Sequence, residues 1–283
     1  MRGAAGLSSS AALAAIYARF VEPYWSQVVN VEMDILHLPD ALVGTTIVQI
    51  SDLHVGIRAD ANYLSEQIEV CNALSPDLIV ITGDIIHEGC RRYLDRAVNL
   101  VGALRAKYGV FAALGNHDYF EYCRHAGHSH LRSAFVADEV TDALTRSRLT
   151  VLRNECRRVR IAGADLQLVG FEDLLSSYFL PEAAMRRVDP TLPTIGLSHN
   201  PDTMARLKFQ PLDWVLCGHT HGGQVRIPFL GAPVLPLNAT RYDAGKFIVG
   251  QRRLYVNRGL GYLMPVRFAC RPEITRFTLT RRA

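Results

Sequence analysis

Five short apolar runs, each closing on a residue with lone pairs to offer, constrain this chain more than any other feature. TIVQIS (46–51) ends in Asp52-Leu53-His54, LIVIT (78–82) in Gly83-Asp84, and VFAAL (110–114) in Gly115-Asn116-His117-Asp118. TIGLS (194–198) ends in His199, and WVLC (214–217) in Gly218-His219-Thr220-His221. Between the early runs the apolar spacing turns helical: Leu64, Ile68, Cys71 and Leu74 mark one amphipathic helix, and Leu94, Ala97, Val98, Val101 and Leu104 a second, over roughly 93–107. Uninterrupted apolar runs bounded by helices predict strands covered on both faces, as in a parallel sheet. Ligands of such sheets gather beyond the carboxyl ends of the strands. An α/β fold is therefore expected, with Asp52, His54, Asp84, Asn116, His199, His219 and His221 delivered to one edge.

Taken singly, each of these residues has an ordinary explanation. An aspartate after a strand commonly caps a helix, and an isolated histidine is commonly a satisfied polar residue. Seven at five equivalent positions are not explained in that way. Extended backbone beyond a strand end would project His219 and His221 to the same side, and Gly218, Gly222 and Gly223 would let the chain approach a ligand closely. Carboxylate, imidazole and amide donors without sulfur suit Mn²⁺, Fe or Zn²⁺ better than Ca²⁺. Seven donors exceed the needs of one tetrahedral ion, whereas two divalent ions about 3.5–4 Å apart would use them fully. Two dications against two aspartates leave a net positive centre, which attracts a phosphate anion.

Composition narrows the remaining choices. With 283 residues, 49% of them hydrophobic, and mean hydropathy +0.07, the chain can bury one sizeable core. A single domain over 28–283 with an amino-terminal apolar or amphipathic segment at 1–27 is the expected organisation. Of the 31 basic residues only Lys107, Lys208 and Lys246 are lysine, and the arginine pairs are scattered, so no basic groove for nucleic acid is written here. Six cysteines without a CxxC pattern favour free thiols in a reducing compartment. Residues 3–18 are uncharged but shorter than the roughly 20 apolar residues of a membrane span. Leu13, Ile16, Tyr17, Phe20, Val21 and Tyr24 recur at helical spacing, and such a helix either docks on the body or lies in a membrane interface. A cytoplasmic protein held peripherally at the inner face of a membrane is the expectation, with export as the alternative. No protein partner is implied.

The ordered motifs Asp52-x-His54, Gly83-Asp84, Gly115-Asn116-His117-Asp118, His199 and Gly218-His219-x-His221 resemble those of the calcineurin-like metallophosphoesterases, over about residues 46–221. The resemblance implies a four-layer α/β/β/α sandwich with a dinuclear metal site at the carboxyl-terminal ends of the strands. It implies one ion held by Asp52, His54 and His221, another by Asn116, His199 and His219, and Asp84 bridging. GHTHGGQVRIP (218–228), SHNPD (198–202), ARFVEPYW (18–25), LYVNRGLG (254–261) and MPVRFACRPEITRFTL (264–279) are similar to the membrane-associated bacterial branch. That branch includes lipid-directed phosphodiesterases and UDP-2,3-diacylglucosamine pyrophosphatases of lipid A synthesis.

The implied reaction is hydrolysis of a phosphoester or pyrophosphate by water activated between two ions, on a phosphorylated small molecule or lipid. His117 is the candidate general acid; its alternative role is to orient Asn116 or bond to Asp52. Arg58 and Arg258 are candidate phosphate clamps or structural ion-pair partners. Cys123, His125, His128 and His130 read as an insertion near the substrate mouth or an accidental cluster rather than an added metal site. Two other functions compete: a phosphodiesterase acting on nucleotides or nucleic acid, and a non-catalytic scaffold. Scaffold members lose donors, and here none is missing.

Overall fold

Valine, isoleucine and leucine crowd the predicted strands, and in a computed structural model of the chain all five runs are strands. The structure describes residues 2–56, 60–121, 131–132, 134–237 and 242–282. Helix α1 (Arg2–Phe20) precedes β1 (Gln27–Ile35), β2 (Thr46–Ile50), α2 (Ala61–Ala73), β3 (Leu78–Thr82), α3 (Leu94–Val101) and β4 (Val110–Ala113). A ribbon of β5 (Phe120–Glu121) and β6 (Leu131–Arg132) follows, then α4 (Ala134–Arg146), β7 (Thr150–Val151), β8 (Glu155–Ile161) and β9 (Ala164–Gly170). The remainder is α5 (Pro181–Met185), β10 (Thr194–Leu197), α6 (Met204–Leu207), β11 (Trp214–Cys217), β12 (Gly245–Val249), β13 (Arg252–Val256) and β14 (Glu273–Arg281).

These strands make two six-stranded sheets, in the orders β1-β14-β2-β3-β4-β7 and β12-β13-β11-β10-β9-β8. Pairing within β2-β3-β4-β7 and within β13-β11-β10-β9 is parallel, which sends the functional strand ends to one side. The period-2 alternation of side chains divides each strand between two layers. Ile47, Leu78, Val80 and Phe111 of the first sheet meet Leu168, Ile195, Trp214 and Leu216 of the second. Val48, Ile50, Ile79 and Ile81 face outward onto Leu64 and Ile68 of α2, Ala97 and Val101 of α3, and Val140 of α4. Val169, Val215 and Val256 face the other way, onto Ala184 of α5 and Met204 and Leu207 of α6. The result is the expected α/β/β/α sandwich.

Gln49 departs from this apolar pattern. Its amide lies in the layer between the sheets and donates to Thr82 Oγ1 and to the carbonyl of Cys217, both at 2.9 Å. Buried polar groups are retained where they find partners. Helix α3 ends sooner than the apolar spacing predicts, since Gly102 follows Val101 and the chain then turns; Leu104 is buried outside the helix. Strand β14, unmarked in the sequence reading, inserts between β1 and β2.

The end of the amino-terminal segment is stitched to the body. Ala18 accepts a hydrogen bond from the Arg267 amide at 2.9 Å, and the buried Glu22 carboxylate accepts from the amides of Ala269 and Cys270. By contrast, Leu13, Ile16 and Phe20 of α1 are exposed. Among the described residues no helix is long and apolar enough to cross a membrane. The described cysteines, including buried Cys71 and Cys217, are free thiols. Arg58, Cys123, His125, His128 and His130 lie outside the described residues.

Candidate active site

After β2, β3 and β11 the chain turns sharply, and it does so through an unfavourable conformation. Asp52, His54, Asp84, His219 and His221 hold φ values of 53°, 46°, 53°, 72° and 51°. L-residues occupy this left-handed region only where their surroundings dictate it, at about 1 kcal/mol or more each. Here the neighbouring strand end does so: Asp52 donates its amide to Gly83 O at 3.0 Å, and His54 to Asp84 O at 2.9 Å. His219 donates its own amide to the Asp52 carboxylate at 3.1 Å.

This geometry corrects the expectation of an extended His219-Thr220-His221. Thr220 is helical (φ −78°, ψ −21°) between two left-handed residues. The two rings therefore part company. His219 Nδ1 lies 3.2 Å from His199 Nε2, whereas His221 Nε2 lies 3.1 Å from His54 Nε2. Two buried groups result, Asp52 with His54 and His221, and Asp84 with His199 and His219, each with donor atoms within 4.8 Å of one another. Asp84 stands between them, with Oδ2 at 3.1 Å from His199 Nε2 and 3.5 Å from His54 Nε2. Its other oxygen accepts the His117 amide at 2.8 Å. Among the described residues neither Asn116 Oδ1 nor His221 Nδ1, both buried, has a hydrogen-bond partner.

Glycine is required where the strand ends crowd together. Gly83 has φ +89°, and a Cβ there would fall 2.5 Å from His199 Nδ1. At Gly218 a Cβ would overlap Ser51 Oγ and Asp52 Oδ2.

Hydrogen bonds behind the rings orient them. His199 Nδ1 donates to Thr82 O at 2.7 Å, and His219 Nε2 donates to Pro236 O at 3.0 Å, so in the neutral ring the opposite nitrogen of each carries the lone pair. Burial pushes the imidazoles of His54 and His221 well below the usual range, Arg267 adding to the effect at His221. Burial and the charge of His199 take His219 down to about 4. At Asp84 burial acts upward, but His199, His117 and His54 outweigh it and hold the carboxyl well below its ordinary value. Burial is likewise outweighed at His199, which Asp84 and Asp52 hold well above it. Burial lifts Asp52 to about 6. Neutral imidazoles at His54, His219 and His221, an ionised central carboxylate and a buried amide oxygen fit divalent cations, which bind deprotonated nitrogen and oxygen donors and would displace the proton of His199.

His117 sits at the edge of this cluster, its ring crossing that of His54 at 86° with centroids 4.8 Å apart. The amide of Glu88 donates to His117 Nδ1 at 3.3 Å. His87, absent from the sequence reading, stacks on His117 at 10° with centroids 5.5 Å apart, and its Nδ1 is 3.4 Å from His54 Nδ1. Its one signal was a histidine three positions beyond Asp84. Arg258 forms an ion pair with buried Glu273 at 2.5 Å. Glu172 is buried against Tyr119 and Arg153, and Asp173 accepts the amide of Leu175 at 2.8 Å.

A four-layer sandwich with paired nitrogen-oxygen clusters on one rim defines a metallophosphoesterase, a hydrolase of phosphoester bonds. The calcineurin-like phosphoesterase profile matches residues 45–223, and the chain belongs to that family. Family membership implies divalent metal ions, and the two buried groups could hold them. The chain is 33% identical over 266 residues to the uncharacterized metallophosphoesterase YkuE of Bacillus subtilis, covering 93% of this chain and 88% of that one. It is 31% identical over 265 residues to the phosphodiesterase YaeI of Escherichia coli, covering 93% and 92%. It is also 31% identical over 301 residues to the UDP-2,3-diacylglucosamine pyrophosphatase LpxG of Chlamydia trachomatis, covering 92% and 91%.

Proposed function

We propose that the chain hydrolyses a phosphodiester or pyrophosphate in a lipid-linked or nucleotide-linked substrate, with a UDP-linked diacyl sugar as the leading candidate. The observation that carries this reading is the convergence of Asp52, His54 and His221 with Asp84, His199 and His219, Asp84 lying between. Asp52, His54 and His221 would hold one divalent ion, Mn²⁺, Fe or Zn²⁺. Asn116, His199 and His219 would hold a second, and Asp84 would bridge. When bound, the ions supply charge neutralisation at phosphorus and a solvent nucleophile at neutral pH. The similarity to a phosphodiesterase and to a pyrophosphatase of a diacylated nucleotide sugar supports a diester-type substrate bearing lipid.

His117 is assigned the proton donor to the leaving oxygen. Delivering a proton requires the imidazolium, so the 3.3 Å contact from the Glu88 amide to Nδ1 would open as the ring protonates, and Nε2 would deliver the proton. The amide bond to Asp84 fixes the backbone from which that ring projects. A peripheral position at the inner face of the membrane is supported by the exposed Leu13, Ile16 and Phe20 of α1. The test is turnover of a phosphomonoester, a bis-ester and a UDP-linked diacyl sugar by manganese-loaded protein under identical conditions. Preference for the diacyl sugar upholds the reading; preference for the monoester overturns it.

A further inference from the structure

Between the candidate centre and its own closing strands, the chain from Gln224 to Pro236 makes a protruding hairpin. Ile227 and Gly231 exchange backbone hydrogen bonds of 2.8 and 2.9 Å across a tight turn. At the tip Phe229 is fully exposed and Leu230 is 80% exposed. Phe229 also holds φ 65°, a conformation that turns ordinarily give to glycine or asparagine and that a bulky side chain disfavours. Neither burial nor backbone preference accounts for a phenylalanine there. Its side chain projects fully into solvent.

The hairpin is rooted in the candidate centre. It begins directly after His221-Gly222-Gly223, where Ala232 closes against Gly223, and it ends at Pro236, whose carbonyl accepts the His219 proton. The Arg226 amide donates to Phe268 O at 2.8 Å, joining the hairpin to the segment 262–271. That same segment receives the end of α1 through Ala18 and the turn after it through Glu22. Three neighbouring elements thus present Ile16, Phe20, Met264, Ile227, Phe229 and Leu230 to solvent. Their charge is one-sided. Across 10–25, 226–237 and 262–272 the single carboxylate is Glu22, which is 1% exposed, whereas Arg19, Arg226 and Arg271 belong to the same stretches. Arg226 pairs with Asp243 at 2.8 Å, and Arg271 lies over the Trp25 ring.

Apolar knobs flanked by arginine, on stretches whose single carboxylate is buried and with Asp243 paired to Arg226, are complementary to an anionic bilayer, whose headgroups attract the cations while the hydrocarbon boundary takes the side chains. We propose that the hairpin tip at Phe229 and Leu230 inserts into an anionic lipid surface beside α1, holding the centre against substrate in the bilayer. This rests on the lipid-linked reading of the substrate above.

The test uses the full chain loaded with manganese and floated with vesicles of phosphatidylcholine alone or mixed with phosphatidylglycerol. Wild type, the double variant Phe229→Asp with Leu230→Asp, and a control Phe209→Asp at another exposed site are compared. Hydrolysis of bis-(p-nitrophenyl) phosphate in solution is followed in parallel. Wild type and control should float with the anionic vesicles, the double variant about tenfold less, and soluble turnover should be equal in all three. Flotation of the double variant equal to wild type, or of wild type with neither vesicle, overturns the proposal. Wild type that floats but hydrolyses no ester upholds the docking surface and counts against the enzymatic reading instead.

Discussion

The amide of Glu88 donates to Nδ1 of His117 at 3.3 Å, so a neutral His117 ring keeps its proton on Nε2. Replacing His117 with glutamine should lower turnover of an alkyl phosphodiester by about 10²–10⁴-fold, the usual contribution of a positioned acid. A p-nitrophenyl ester, whose leaving group needs no proton, should lose far less. Equal losses for the two esters, with metal content unchanged, would assign the ring to positioning Asn116.

The buried Asn116 Oδ1 leads to a second expectation. Chelation should abolish turnover, and Mn²⁺ should restore it. Asn116→Ala should retain about one ion per chain where the parent retains about two, because only one of the proposed sites uses this oxygen. Metal analysis after exhaustive dialysis measures this; two retained ions would remove Asn116 from the set.

Gly83 joins β3 to Asp84 with φ +89°, and an added Cβ would lie 2.5 Å from His199 Nδ1 and 2.6 Å from the Gly115 amide. Gly83→Ala should therefore destabilise the fold by about 1–3 kcal/mol and reduce metal retention as His199 shifts. Thermal denaturation with metal analysis would check both. A variant with unchanged melting and full retention would contradict the crowding described.

Asp34 offers a pH test remote from the centre. Burial acts upward, but hydrogen bonds from Lys246, Arg253 and Arg282 prevail and take its carboxyl down to about 2 from 3.8. A depressed folded value means that the unfolded chain takes up the proton first as pH falls. The stabilisation is fully present above pH 3.8 and is lost as pH falls through about 2. After allowance for partial exposure, Asp34→Asn should cost about 1–2 kcal/mol at neutral pH. The gap between the two proteins should close on acidification, as denaturant melts at several pH values would record.

The five functional strands were legible because their runs are almost wholly apolar, Gln49 being the exception, and the seven candidate donors because each follows such a run. What each donor does locally was not legible. The left-handed turns at Asp52 and His54 are imposed by Gly83 O and Asp84 O, acceptors about thirty residues away in sequence. Periodicity carries no trace of such a bond. Strand β14 intersperses buried Ile274, Phe277 and Leu279 with threonine and arginine, a pattern weaker than the parallel runs. Arg258 read equally well as a clamp or a partner, because its choice of Glu273 depends on β13 and β14 being brought together. His87 carried no helical or strand signal and acquires significance only through its stack on His117.

Gln49 has a consequence for how the centre is assembled. Asp52, Asp84 and Asn116 issue from one sheet, and His199, His219 and His221 from the other, so the spacing of donors depends on how the two slabs slide past each other. Oil-like contacts alone resist such sliding weakly. The Gln49 amide, bonded at once to Thr82 of its own sheet and to Cys217 of the opposite one, acts as a dowel two residues below the rim. A leucine in its place would leave both slabs intact and free the joint between them.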